Sequence, residues 1–323
     1  MTQKRILLTG ASGCIGHYIA ESLIQETRHE LFFLVRNPDK LKLDTKIRSG
    51  VTILQADLKD IHLFGNLLKT IDVAILTATS WGGEQESNEI NIRKTLELIK
   101  LLNPAHLQQI IYFSTASILD RNNQLLPEAG SKGTDYIRTK YECFVELEKL
   151  SIAPKITALF PTLVVGGEKN KPYSHLSAGL PDVVKWISLI RWFKADGSFH
   201  FIHGRDIAQV VRHLVDNSLE KEFTKSLSIP RKLVLGNERI MVNQAVEEIC
   251  AYLNKKIYFR FPLYLWLANL LIKIFNVQIA PWDRFCMQYR HFTYQNIVNP
   301  ATFGMTPYCS TLKDVLKQLT INN

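Results

Sequence analysis

Short apolar runs alternate with longer stretches of helical period through the first half of the chain. The runs cover residues 6–9, 31–35, 51–55, 73–77, 110–114 and 156–160, each bounded by polar or small residues. Between them, apolar positions three and four apart predict helices over 15–24, 61–68, 88–102 and 136–150. Runs that are apolar at nearly every position suit strands buried on both faces, as in a parallel sheet with right-handed crossovers. The pattern therefore predicts an α/β chain built on a doubly wound parallel sheet. Each strand ends beside polar or small residues, so those loops should gather on one sheet edge.

Beyond Pro161 the texture changes. A loop carrying Pro172, Tyr173, Ser174 and His175 precedes a helix expected over 181–193, with Trp186, Leu189, Ile190 and Phe193 on one face. A strand at 199–203, a helix at 206–217, a strand at 232–235, a helix at 242–253 and a strand at 256–261 follow. The rest is mostly helix, the last one opened by Ser310-Thr311 with Asp314 in its first turn. Residues 1–165 are thus expected to form the sheet domain, to which 199–235 partly returns. Residues 166–198 and 236–323 are expected to form a smaller, mostly helical substrate lobe. Leu and Phe at helical spacing in 261–275 suit a core helix first, with a dimer face or an amphipathic membrane contact as the alternatives. Interrupted by Asn269 and Lys273, that stretch is too short to cross a bilayer.

Composition narrows the class. With 46% hydrophobic and 21% charged residues, the 323-residue chain has the balance of a soluble globular enzyme. A net charge of +9 favours anionic partners, nucleotide cofactors among them. No block of Lys and Arg interleaved with aromatics points to nucleic acid. The five cysteines are odd in number and never form a C-x-x-C pair, which implies neither disulfide framework nor metal site. They suit a reducing, cytoplasmic compartment. The first apolar run is strand-length and ends in glycine, unlike a secretory signal. The aromatic-rich end of the chain also leaves room for a homodimer face.

The chemistry starts at Thr9-Gly10-Ala11-Ser12-Gly13-Cys14-Ile15-Gly16, between the first run and the first helix. Strand, glycine turn and helix start form the arrangement that a dinucleotide pyrophosphate needs, and so imply a Rossmann sheet. Gly10, Gly13 and Gly16 allow close approach, and the backbone of Ser12, Cys14 and Ile15 faces the anion. The second run ends in Arg36, where an acid would suit a ribose 2′-hydroxyl and an arginine suits a 2′-phosphate. Arg36 therefore favours NADP, with NAD as the alternative. Asp57-Leu58 closes the third run; Asp57 suits either the adenine amino group or a structural turn. Thr77, Ala78 and Thr79 end the fourth run with small residues, where a nicotinamide would approach.

Ser114-Thr115 ends the fifth run in hydroxyls, and Tyr136 and Lys140 follow at i and i+4 on one helical face. A free tyrosine titrates near pH ~10, so it needs help to work as a base. The Lys140 ammonium, together with an oxidised nicotinamide, would favour the tyrosinate. Tyr136 could then pass a proton to or from a substrate oxygen that Thr115 also holds.

Together these pieces resemble the extended short-chain dehydrogenase/reductase family, which includes nucleotide-sugar epimerases and dehydratases. The matching segments are Thr9-Gly10-x-x-Gly13-x-x-Gly16, Asp57-Leu58, Ser114-Thr115, Tyr136-x-x-x-Lys140, Pro161-Thr162-x-x-x-Gly166 and His203-x-x-Asp206-x-Ala208. The resemblance implies catalytic roles for Thr115, Tyr136 and Lys140, a Lys140 contact to the nicotinamide ribose, and a cofactor border at Pro161 and Thr162. Two departures separate the chain from sugar epimerases: Ile118-Leu119-Asp120 replaces their V-Y-G, and Phe160 replaces an arginine. Val35-Arg36-x-Pro38 instead resembles NADP-dependent reductases of flavonoid or cinnamoyl carbonyls. The leading expectation is an NADP-dependent reductase of a small carbonyl, or dehydrogenase of the alcohol. A nucleotide-sugar epimerase or dehydratase with retained NAD is the alternative. Retention of Thr115, Tyr136 and Lys140 argues against a non-enzymatic relative.

Overall fold

The computed structural model describes residues 2–217, 229–274 and 278–321. Its centre is a seven-stranded parallel sheet. Six strands come from the predicted runs: β1 (Arg5–Thr9), β2 (Glu30–Val35), β3 (Val51–Gln55), β4 (Val73–Leu76), β5 (Gln109–Phe113) and β6 (Ile156–Pro161). The strand Arg231–Leu235 pairs outside β6, so the spatial order runs Arg231–Leu235, β6, β5, β4, β1, β2, β3. Each boundary lies within a residue or so of expectation.

The two-residue period of the strands explains why they are apolar throughout. Leu7, Ala74, Ile110, Tyr112 and Phe160 enter the core on one face of the sheet. Their neighbours Ile6, Leu8, Ile75, Ile111 and Leu159 enter the core on the other. Helix α1 (Cys14–Glu26) and the helix Gly204–Asp216 cover this second face, through residues such as Ile19, Leu23, Ile207 and Val211. The helix Asp135–Glu148 covers the first face through Phe144 and Leu147. The central strands are therefore enclosed on both sides, whereas the edge strand β3 is only half-buried.

Several elements depart from expectation, most of them in the second half. The helix expected from Pro181 spans His175–Ile190 and encloses that proline. Its true start is Ser174, whose Oγ accepts from Ser177 N at 3.0 Å. Residues 256–260 form no strand; only Phe261–Pro262 pairs, in parallel with Phe193–Lys194. The predicted helix at 61–68 is a 3₁₀ segment, Leu58–Phe64, followed by the short helix Gly65–Leu68. That predicted over 88–102 is divided into Glu84–Asn88, a π-helical segment Glu89–Lys94, and Thr95–Leu101. The largest correction concerns 261–275, where Phe275 lies outside the described residues. Leu265–Ile274 is helical, yet Leu265, Trp266, Leu270 and Ile274 are exposed rather than core.

The last helix, Leu312–Ile321, begins as expected: Thr311 N and Oγ1 donate to Asp314, and Asp314 N donates back to Thr311 Oγ1. Buried Asp206 anchors the segment before it by accepting from Tyr308 N at 2.6 Å and Cys309 N at 3.1 Å. His203 caps Gly204–Asp216, its Nδ1 accepting from Arg205 N at 3.0 Å. Asp206 thereby ties residues 308–309 to this helix, whereas the His203 bond is a local cap.

Candidate active site

All seven strands end on one sheet edge, and the direction of winding reverses between β1 and β4. There the loop after β1 meets the loop after β4. Gly10 has φ +73°, and a Cβ on it would lie 2.7 Å from both Ala78 N and Thr77 Oγ1. A Cβ on Gly16 would lie 2.1 Å from Gly10 O. Packing within the chain thus demands glycine at both positions. Gly13 differs: its Cβ would meet only Gly10 O, at 3.4 Å, and the residue is exposed. The space beside Gly13 stays open at the N-terminus of α1, where first-turn amides at Cys14, Ile15 and Gly16 lack intrahelical acceptors. A pyrophosphate fits that cradle by charge and by room. Half-buried Ser12 flanks it, and burial pushes the Cys14 thiol up to about 12, which keeps the sulfur neutral.

The remaining cofactor candidates line the same edge. Arg36 follows β2 with its side chain 72% exposed, 3.6 Å from Asp57 Oδ2. Asp57 Oδ1 meanwhile accepts from Lys59 N at 2.9 Å, and Leu58 is buried in the core. The turn role of Asp57 is thus plain in the hydrogen bonding. Thr77 Oγ1 donates to Thr9 O at 2.6 Å, tying the β4 loop to β1 beside Ala78. Thr162, after buried Pro161, donates from Oγ1 to Leu235 O at 2.9 Å.

Thr115, Tyr136 and Lys140 come together between β5 and the helix Asp135–Glu148. Thr134 caps that helix, accepting from Ile137 N at 3.4 Å, and this sets Tyr136 in its first turn. Thr115 Oγ1 accepts from Ser117 N at 3.3 Å, and the same hydroxyl acts to lower the Tyr136 phenol. One turn on, buried Lys140 donates to Phe113 O at 2.8 Å and lies 6.0 Å from the Tyr136 ring centroid. Burial lowers the Lys140 ammonium to about 8 and raises the Tyr136 phenol above its ordinary value, against the opposing pull of Thr115. Desolvation therefore dominates both groups in the protein alone, and the tyrosine is a neutral phenol at pH ~7.

Two further residues of the site escaped the sequence reading. Trp81 lies on Tyr136 with centroids 3.7 Å apart and 12° between planes, and its other neighbour is His175 at 4.3 Å. Its only sequence signal is an aromatic in a loop after a sheet strand. Buried Asn91 holds that loop: Oδ1 accepts from Thr79 Oγ1 and Ser80 N, each at 2.8 Å. Its Nδ2 donates to Ser80 O and Thr139 Oγ1, each at 3.0 Å. Asn91 thereby joins the Trp81 loop to the helix of Tyr136, from a π-helical segment of the kind that recurs at functional sites.

Comparison with known proteins places this geometry in context. An isoflavone reductase homologue of Nicotiana tabacum is 35% identical over 101 residues, 29% of this chain and 31% of that protein. A phenylcoumaran benzylic ether reductase of Ginkgo biloba is 34% identical over 103 residues, 30% of this chain and 32% of that one. The chain thus matches about a third of the length of these relatives. Among solved structures, UDP-N-acetylglucosamine 4-epimerase from Methanobrevibacter ruminantium superposes with TM-score 0.64 at 19% identity, covering 100% of this chain and 97% of that one. The dTDP-glucose 4,6-dehydratase of Streptomyces venezuelae, solved with NAD bound, gives 0.64 at 13% identity over 98% and 96%. These likenesses bear on the fold. The family model for the NAD dependent epimerase/dehydratase family matches residues 6–226, and with the glycine cradle and parallel sheet this chain belongs to that family.

Proposed function

We propose that the protein is an NADP-dependent oxidoreductase acting on a small carbonyl or the corresponding alcohol, with Tyr136 as proton donor or acceptor. The observation that carries this reading is the convergence of Thr115, Tyr136 and Lys140 at the sheet edge that also holds the glycine cradle. A bound nicotinamide supplies or accepts the hydride. The burial that keeps the Tyr136 phenol protonated makes it ready to donate as a carbonyl oxygen gains charge. Thr115 holds the same oxygen by hydrogen bonding. Lys140 lowers the cost of the tyrosinate left behind, since a nearby cation favours the anion. Gly13 admits the pyrophosphate, and Arg36 offers its exposed guanidinium to a 2′-phosphate.

A second reading, an epimerase or dehydratase that keeps its nicotinamide through the cycle, draws support from the likeness to the two sugar-nucleotide enzymes. Absorbance of the reduced cofactor separates the two. Reduction consumes one cofactor per substrate, whereas an epimerase leaves the cofactor level unchanged. Stoichiometric loss of NADPH with a carbonyl substrate is the expected result. Conversion of a nucleotide sugar without net change in cofactor would replace this reading by the second.

A further inference from the structure

The proposed chemistry leaves one large surface unused, where the helix His175–Ile190 ends and the helix Leu265–Ile274 begins. Two sequence segments meet there. Phe193–Lys194 pairs with Phe261–Pro262, Phe261 N donates to Trp192 O at 2.8 Å, and Leu263 N donates to Lys194 O at 2.8 Å. The rings continue the junction: Trp192 and Phe259 lie 5.0 Å apart, and Phe259 meets Phe261 edge-on at 5.2 Å. This aromatic ridge runs straight into the exposed helix, on which Trp266 is 65% and Ile274 63% accessible. Trp186 and Leu189, three residues apart on the first helix, are also exposed.

Charge along the two segments is one-sided. Residues 183–195 and 249–282 contain no Asp or Glu, and exposed Asp182 and Asp283 border them. Lys185, Lys194, Lys256 and Lys273 are all exposed there. Arg260 is occupied by Glu247 at 2.9 Å and so adds little to the outward field. A contiguous apolar surface of this kind marks a contact site. Tryptophan and tyrosine beside lysines that can extend their amino groups outward suit the headgroup level of a bilayer. A second copy suits it poorly, because a two-fold contact would press two faces with more lysines than acids together.

We infer that this face docks on an anionic bilayer surface, with the Leu265–Ile274 helix and the aromatic ridge at headgroup level and the lysines against anionic lipid. The ten-residue helix is about 15 Å long, half of a hydrocarbon core of about 30 Å, so it lies along the interface. No helix among the described residues is long and apolar enough to cross a membrane.

Co-sedimentation of the full chain with phosphatidylcholine vesicles, with and without phosphatidylglycerol, tests the assignment. Binding is expected to the phosphatidylglycerol vesicles, to weaken as salt rises, and to be slight on phosphatidylcholine alone. The double change Trp266→Glu and Ile274→Glu should lower binding at least ~10-fold, since it removes apolar area and adds repulsion. Lys256→Gln and Lys273→Gln should each cost about fivefold. These two alter only exposed amino groups and carry the test if the double variant does not fold, as circular dichroism would reveal. Failure to bind phosphatidylglycerol vesicles, or equal and salt-independent binding to both compositions, overturns the assignment. So does a concentration-dependent dimer dissolved by Trp266→Glu, which would show a second copy covering the face.

Discussion

The indole of Trp81 lies flat on the phenol of Tyr136, centroids 3.7 Å apart, although Trp81 itself is 54% exposed. Among the described residues Tyr136 and His175 are its ring partners, and Asn91 fixes the loop behind it. A substrate held at the phenol would therefore lie against this ring. Trp81→Ala should lower kcat/KM about tenfold for carbonyl substrates, the loss of roughly one aromatic contact, with cofactor affinity unchanged. Trp81→Phe should recover most of it. An equal fall in cofactor affinity would instead place Trp81 in the dinucleotide cradle.

Gly13 and Gly16 should behave oppositely. Ala at 16 would place a Cβ 2.1 Å from Gly10 O, so backbone must move, whereas Ala at 13 meets only Gly10 O at 3.4 Å. Gly16→Ala should cost about 1–3 kcal/mol in unfolding free energy without any cofactor. Gly13→Ala should leave that stability intact and remove most of the stabilisation by NADP, which for the parent is about 2.7 kcal/mol at a hundredfold excess over Kd. Thermal unfolding with and without cofactor reads both.

Arg36 is tested by cofactor discrimination. Its guanidinium is exposed and its ion pair with Asp57 Oδ2 is long at 3.6 Å, so it can turn toward a 2′-phosphate. Arg36→Ala should weaken NADP binding roughly 10- to 100-fold, the value of charged hydrogen bonds, and leave NAD binding nearly unchanged. Calorimetry with both dinucleotides measures the ratio. Unchanged NADP preference in the variant would remove the phosphate role.

Lys140 links function to a stability cost. Burial lowers its folded value from 10.5 to about 8, so between these the unfolded chain binds more protons and stability rises with pH. Below pH 8 the full penalty is present; above 10.5 it is gone. Lys140→Met should therefore be more stable than the parent at pH ~7, by something of order 1–3 kcal/mol, while losing activity. The advantage should shrink as pH rises toward ~10. Denaturant titrations of both proteins across that range test the sign.

The sheet was legible because burial on both faces leaves strands apolar at every position, as in Ile6–Leu8 and Ile110–Phe113. The glycine turn between β1 and α1, and the one-turn spacing of Tyr136 and Lys140, were legible because they are local, and only the fold brings Thr115 near them. Trp81 and Asn91 were not, since their partners stand 55 and 48 residues away in Tyr136 and Thr139. The helix at Pro181 was misplaced because proline usually starts helices, whereas Ser174 caps this one. The exposed Leu265–Ile274 helix misled most: apolar spacing reports that a face seeks cover, not what covers it.

The central claim rests on the Tyr136 proton. Tyr136→Phe keeps the ring beneath Trp81 and removes only the phenolic hydroxyl. Single-turnover oxidation of bound NADPH by a carbonyl substrate should slow about 10²- to 10⁴-fold in this variant, with NADPH affinity unchanged. Oxidation at the parent rate in Tyr136→Phe would contradict the account.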